Sequence, residues 1–451
     1  MTHKVCPRLA SCRLGLCLFI FAFASSASAE WNEKVLYSFQ GSPDAATPAG
    51  GVVFDKAGNL YGAALGGPQY SQGTVFQLAP PAKTGDPWTE AVLYVFQGKP
   101  VNDGQIPTGG LVIDGAGNLY GVTGYGGTGG CILLGNPVGC GTVYELSPPK
   151  EKGGKWTETI LYSFQGGKDG YFPNGTLVFD GVGNLYGATD YGGGYGSCNA
   201  PYYQYCGTIF KMSPPAEKGG KWKEKVLYSF KIGTDGANPN GGLVLNNKGE
   251  IYGTTLIGGY NCPHHSGQGC GTVFELDPPA SKNKAWTEKQ VHIFKNGADG
   301  AQPIAGVILD AAGSLYGASQ GGANECGVVF SLTANSSGLW KDTILYSFGG
   351  GEYYYSPAVS QFDASGNLYG TTNVGPGSLA GSVFRLKPPS RGVGTWTASV
   401  LYGFTGAPDP ALPNASLVFD KKGDLYGTTT KGGSGTGCSF DGCGTVFTVK
   451  P

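Results

Sequence analysis

The chain has 451 residues, of which 81 are Gly, about 18% against a usual ~7%, while charged residues make up only 14%. Hydrophobic residues at 40% and aromatics at 12% exclude a disordered chain, and Gly without a period of three excludes collagen, which leaves a turn-rich all-β protein. A formal charge of −1 supplies no basic surface for nucleic acid or an anionic membrane.

Residues 1–29 carry Lys4, Arg8 and Arg13, an apolar run over 14–24, and Ala27-Ser28-Ala29. This is the order of a secretory signal peptide. Cys17 follows the bulky Leu16 inside the apolar run, a poor context for lipidation. The mature chain is expected to span 30–451 with a net charge of −4. No later stretch approaches the ~18 apolar residues of a membrane helix, so a soluble protein is expected outside the cytoplasm: extracellular, at the cell surface or periplasmic.

From residue 30 onward the chain repeats seven times. G-N-L-Y-G or a variant begins at Gly58, Gly117, Gly183, Gly249, Gly313, Gly366 and Gly423. G-T-V-F or a variant begins at Gly73, Gly141, Gly207, Gly271, Gly327, Gly381 and Gly444, and one Trp falls in each repeat. Each repeat reads as four short strands bounded by Gly, Pro, Asn and Asp; in the third these are 175–180, 184–189, 207–213 and 222–230. Seven four-stranded antiparallel units predict a seven-bladed β-propeller. The mature chain opens on a lone fourth strand, 31–39, and finishes on a third strand, 444–449. The N-terminal strand is therefore expected to pair into the last blade and close the ring.

The F-D-x-x-G-N-L-Y-G-T-T phrase, the following G-T-V-F and the W-x-x-x-x-L-Y-S-F phrase resemble the bacterial GloVer tandem-repeat family, and more loosely the D-x-x-G-N-I-Y of NHL propellers. The resemblance spans essentially the whole mature chain. It implies an exported bacterial propeller and no particular activity. Members often carry C-terminal surface anchors; no such segment is read between the last strand and Pro451.

Antiparallel blades put the second-to-third loops and the inter-blade crossovers on one face. Four of those loops hold cysteine pairs, Cys131 with Cys140, Cys198 with Cys206, Cys262 with Cys270 and Cys438 with Cys443, read as local disulfides. Cys326 has no partner in its own loop and is expected as a buried free thiol, with pairing to another chain the alternative. Fourteen of the 26 Tyr belong to the repeat pattern and are assigned to packing. The other twelve are Tyr70, Tyr125, Tyr171, Tyr191, Tyr195, Tyr202, Tyr203, Tyr205, Tyr260 and Tyr353, Tyr354 and Tyr355, all in loops of that one face. Tyr among Gly, Ser and Asn makes an adaptable neutral recognition surface. Tyr125, Tyr191, Tyr195, Tyr202, Tyr203, Tyr205 and Tyr260, on blades two to four, are the candidate contacts for a polysaccharide or cell-surface glycan. Rings that merely cap the disc are the competing reading.

Catalytic chemistry is sparse. His292 stands where other repeats have Tyr, His264 and His265 share one loop without a third metal ligand, and there is no G-x-S-x-G elbow. Asp55, Asp114, Asp180, Asp310, Asp363 and Asp420, with Asn246 in the fourth repeat, could ring a cation. Turn capping is preferred, because Asn substitutes there. The Asp of the repeated D-G-x-x-P crossover, at Asp103, Asp169, Asp235 and Asp299, reads the same way. The expectation is a monomeric, non-catalytic binding or scaffold module with no metal or cofactor. The alternatives are a lactonase, lyase or quinoprotein-like enzyme acting at the channel mouth, or a purely structural surface protein.

Overall fold

The computed structural model describes residues 31–451 except 69–71, 152, 195–205, 218, 260–261, 263–268, 282–283, 325, 350–355, 375–379, 391–393, 415 and 439–440. The signal segment lies outside the described residues. Each repeat forms one antiparallel sheet with its strands in chain order from the centre of the ring outward. In the third blade they are Tyr171–Phe179, Leu185–Tyr191, Thr208–Ser213 and Lys223–Ser229. The innermost strand starts four residues before the predicted position 175, because it crosses a register shift between Asn174 and Val178 and pairs Tyr171 with Tyr191 beyond it. In four other blades the irregularity splits this strand, as in Ala46–Pro48 and Val53–Phe54 of blade one.

Seven such sheets make a seven-bladed propeller, closed as the strand order predicted. Asn32–Ser38 pairs antiparallel with Thr445–Lys450, Asn32 opposite Lys450 and Ser38 opposite Thr445.

The two signatures are two halves of one packing unit. The Gly of L-Y-G lies across the sheet from the aromatic residue of G-T-V-F, as in Gly62 with Phe76 and Gly187 with Phe210. A Cβ on Gly62 would fall 2.4 Å from the Phe76 ring, so only Gly lets the ring lie over the backbone. That buried ring meets the Phe that directly follows the fourth strand of the preceding blade, with centroids 4.9 Å apart for Phe39–Phe76 and 5.1 Å for Phe164–Phe210. Further out, the single Trp of each repeat packs on the signature Tyr of the blade before it, as in Trp156 on Tyr61 and Trp222 on Tyr120. Trp31 on Tyr369 carries the same contact across the closure. The core is thus seven inter-blade aromatic layers, and hydrophobic burial holds neighbouring blades face to face.

A third contact was not predicted. The residue before the crossover Pro is left-handed in every blade: Thr47, Ile106, Phe172, Asn238, Gln302, Ser356 and Leu412, with φ between 39° and 58°. Each such residue costs roughly 1–2 kcal/mol. The return is an inter-blade hydrogen bond: the Phe172 N–H donates to Cys140 O at 3.0 Å, Asn238 to Cys206 O at 2.9 Å, and Thr47 to Cys443 O at 2.7 Å. The following Pro then covers the Gly of G-T-V-F in the neighbouring blade. A Cβ on Gly141 (φ 100°) would sit 2.4 Å from Pro173 Cδ and 2.5 Å from Thr123 O, whereas one on Gly117 (φ 90°) would meet only Pro148 Cγ at 3.9 Å. Gly117→Ala should therefore cost only the left-handed penalty of roughly 1–2 kcal/mol. Gly141→Ala should cost at least about 3 kcal/mol, adding inter-blade overpacking; urea unfolding of both variants checks the difference.

Cys131–Cys140, Cys262–Cys270 and Cys438–Cys443 are disulfides, as spacing predicted. Cys206 is also disulfide-bonded; its expected partner Cys198 lies outside the described residues. Cys326 is buried, but the expected free thiol is corrected: it too is disulfide-bonded. Loop spacing reveals only partners close in sequence, and its own loop offers none.

Candidate ligand-binding face

The topology places the second-to-third loops and the crossovers together at one end of the disc. Tyr125 and Tyr191 are not loop residues, as the sequence suggested, but sit at the ends of second strands, Leu119–Gly126 and Leu185–Tyr191. Tyr171 opens the innermost strand of blade three, next to Phe172. The four rings form one half-buried cluster across blades two and three. Centroids are 5.0 Å apart for Tyr125–Phe172, 5.7 Å for Phe172–Tyr191 and 5.0 Å for Tyr171–Tyr191. Gly124 makes room for it, since a Cβ there would lie 2.7 Å from the Phe172 ring. Burial pushes the Tyr125 hydroxyl above its ordinary pKa, so it stays a neutral donor and acceptor. Tyr195, Tyr202, Tyr203, Tyr205 and Tyr260 lie outside the described residues, as do Tyr70, Tyr353, Tyr354, Tyr355, His264 and His265.

The residue that sequence reasoning missed is Asp190. Its position in the second strand is held in the other blades by Leu65, Gly124, Leu256, Gln320, Asn373 and Thr430. Asp190 is only 6% exposed. Asn174 Nδ2 donates to its Oδ2 at 3.2 Å, and Oδ1 has no partner among the described residues. Asn238 of blade four donates to the Asp190 main-chain oxygen at 3.2 Å, tying the carboxyl to the next blade. Burial pushes the pKa up to about 7, with Asn174 working the other way. The signal available in the sequence was that this position alone carries an ionisable side chain. The raised pKa means that this group's stabilising contribution is complete below the unfolded value and lost as pH rises through about 7. Asp190→Asn should therefore be more stable than the parent at pH 8.5, by up to about 3 kcal/mol, with the advantage shrinking as pH falls below about 7 and gone near pH 4; paired urea titrations measure it.

The recurrent Asp residues are turn caps. Asp55 Oδ1 accepts the Ala57 and Asn59 N–H groups at 2.8 and 2.9 Å, and Oδ2 accepts Asn59 Nδ2 and the Tyr61 hydroxyl. Blade four exchanges the partners: Asn246 caps the turn and donates to Glu250 in place of the usual Asp–Asn pair. The crossover Asp residues accept the fourth-strand Tyr, as Tyr94 to Asp103 and Tyr162 to Asp169. His292 takes that role toward Asp299 at 3.2 Å, so it substitutes for Tyr in bonding as well as in packing. Glu250, Glu275 and Asp277 could approach a metal together, but Lys289 stands 3.0 Å from Glu275 and 2.5 Å from Asp277 and neutralises them.

The centre of the ring is a cavity of about 320 Å³ lined by Gly50, Gly109, Gly175, Gly241 and Gly306 with Ser360 and Ser416. The glycines bring neighbouring backbones close: a Cβ on Gly109 would lie 2.6 Å from the Gly175 carbonyl carbon. No ionisable side chain lines this cavity among the described residues.

The fold and this face define a β-propeller with one asymmetric, Tyr-bearing end. The Gloeobacter/Verrucomicrobia repeat model matches residues 19–262 and 195–447, and the chain belongs to that family. No curated protein matches the chain. Among solved structures, a PL25 ulvan lyase bound to a -[GlcA(1-4)Rha3S]- oligosaccharide is similar with TM-score 0.50 and 11% identity, over 91% of this chain and 94% of that one. The PQQ-bound aldose sugar dehydrogenase of Streptomyces coelicolor has TM-score 0.42 and 13% identity, over 94% and 99%. A Trichoderma reesei family AA12 enzyme in its calcium form has TM-score 0.43 and 13% identity, over 94% and 96%. These likenesses are likenesses of fold.

Proposed function

We propose that the chain is an exported, non-catalytic propeller that binds polysaccharide or a cell-surface glycan through the Tyr face of blades two to four. The observation that carries this reading is the half-buried cluster of Tyr125, Tyr171, Phe172 and Tyr191, which breaks the sevenfold symmetry of an otherwise uniform scaffold. Flat rings with polar tips stack on sugar faces and bond their hydroxyls. The contacts are Tyr125 and Tyr191, joined by Tyr195, Tyr202, Tyr203, Tyr205 and Tyr260 from the adjoining loops. Disulfides persist in oxidising compartments, which supports a location outside the cytoplasm, as do the signal-like residues 1–29. Among the described residues no helix is long and apolar enough to cross a membrane.

A second reading, an enzyme, is favoured by Asp190 alone, since a carboxyl titrating near 7 suits acid–base work, although it lies between blades three and four and not on the central cavity. The ulvan lyase shows that a propeller of this kind can be a polysaccharide lyase. The test is a polysaccharide-binding screen of residues 30–451 with Tyr125→Ala/Tyr191→Ala and Tyr202→Ala/Tyr203→Ala/Tyr205→Ala variants. Binding lost by folded variants supports the recognition face. Absence of binding by the intact, oxidised parent refutes it, and release of shortened, unsaturated sugars would replace it with the lyase.

A further inference from the structure

Exposed apolar side chains are unevenly placed. Eight large hydrophobic residues are exposed among the described residues, and five of them, Leu65, Val101, Ile132, Leu133 and Leu134, stand on the Tyr-bearing face at blades one and two. Three are consecutive: Ile132 is 69% exposed, Leu133 45% and Leu134 94%. They form the tip of a small hairpin in which Ile132–Leu133 pairs with Asn136–Pro137. Its turn places Leu134 and Gly135 at φ 49° and 82°. Asn or Gly normally occupies the first of these positions, so a branched aliphatic pays a conformational cost there and gains no packing within the fold.

The hairpin is held rigidly. The Cys131–Cys140 disulfide closes its base, and Lys99 Nζ donates to Gly127 O at 3.0 Å and Gly129 O at 2.9 Å just before it. Residues 131–140 carry no charge. We propose that this tip inserts into the acyl region of a lipid surface, with the Tyr residues behind it at headgroup depth. The exposed apolar area of the tip is a few hundred Å², well short of the ~800 Å² each partner contributes to a stable protein interface. A lipid surface, by contrast, accepts a projecting aliphatic point without a matching shape. Half-buried Tyr125, Tyr171 and Tyr191 on the same face are of the type enriched where apolar and aqueous phases meet. With residues 131–140 uncharged and the chain carrying no net positive charge, the attraction is apolar rather than electrostatic.

This inference does not depend on glycan binding. The test floats oxidised residues 30–451 with phosphatidylcholine–phosphatidylethanolamine vesicles, alongside Ile132→Ser/Leu133→Ser/Leu134→Ser and the milder Leu134→Asn, which suits the left-handed turn. The expected result is a bound fraction that is unchanged in 0.5 M salt, falls at least tenfold in the triple variant and falls severalfold in Leu134→Asn, with unaltered melting temperatures. Failure of the parent to float, equal flotation of the variants, or a tip-dependent dimer that ignores vesicles would each overturn the proposal. Glycan binding by the same triple variant reads the other face contacts separately.

Discussion

Deleting residues 31–40 is expected to abolish folding to a monomer. Asn32–Ser38 is the only described strand paired with the outer side of Thr445–Lys450, and the last strand carries the fully buried Val446, Phe447 and Val449. Without the N-terminal strand, that edge opens onto solvent as a template for pairing with other chains. The aromatic layers also break at two places, where Phe76 loses Phe39 and Tyr369 loses Trp31. The truncated chain should elute as aggregates in gel filtration, and a peptide spanning 30–41 added during refolding should restore a monomer. Phe39→Ala, which removes one fully buried ring from the same junction, should cost roughly 3–5 kcal/mol in urea unfolding. A truncated chain that melts cooperatively as a monomer at the parental temperature would falsify the closure argument.

The second large effect is a loss of stability with rising pH. At successive inter-blade junctions a fourth-strand Glu faces the crossover Asp of the neighbouring blade: Glu90 with Asp44, Glu158 with Asp103, Glu224 with Asp169, Glu288 with Asp235 and Glu33 with Asp409. Burial first, and the facing carboxylate second, pushes Glu90 and Glu158 up to about 8 and Glu33, Glu224 and Glu288 up to about 7. The folded ring therefore holds more protons than the unfolded chain between about pH 4.5 and 8. Stability falls as pH rises through that window and levels off above it. Each Glu is partly solvated, so after screening a contribution on the order of 1 kcal/mol per pair is expected, about 5 kcal/mol around the ring.

The turn caps act in the opposite sense at lower pH. For Asp55, Asp180 and Asp363, burial raises the pKa, but hydrogen bonds from the neighbouring Asn, backbone and Tyr outweigh it and hold the carboxyls below their ordinary value. Their contribution is present above about pH 4 and lost below it. Thermal melts should thus peak near pH 4 to 4.5 and drop by several degrees toward pH 9. Glu90→Gln/Glu158→Gln should flatten the alkaline side of that profile; a profile unchanged in the double variant would show that these pairs do not set it.

Much of this architecture was legible because it repeats. One occurrence of L-Y-G is weak, but seven in step with G-T-V-F and a single Trp expose the blade unit, and a fourth strand at the start facing a third strand at the end exposes the closure. His292 could likewise be read as a Tyr substitute from its place in the period, and the structure shows it bonded to Asp299 as the Tyr residues are to theirs. The function site was less legible, since a binding site departs from the repeat and periodicity gives no account of departures. Tyr125 and Tyr191 were visible as unpatterned aromatics, but their placement at strand ends, packed around Phe172, was not.

The sequence by itself determined the all-β class, the number of blades, the ring closure and three local disulfides, because each rests on residues near in the chain or on a pattern repeated along it. Tertiary structure alone decided the rest. The left-handed residues before the crossover prolines are sustained by carbonyls of a different blade, and Asp190 titrates high because blades three and four enclose it. Burial and long-range partners arise only when distant segments pack together, and they set the energy of a charge or a strained backbone that looks ordinary in the sequence.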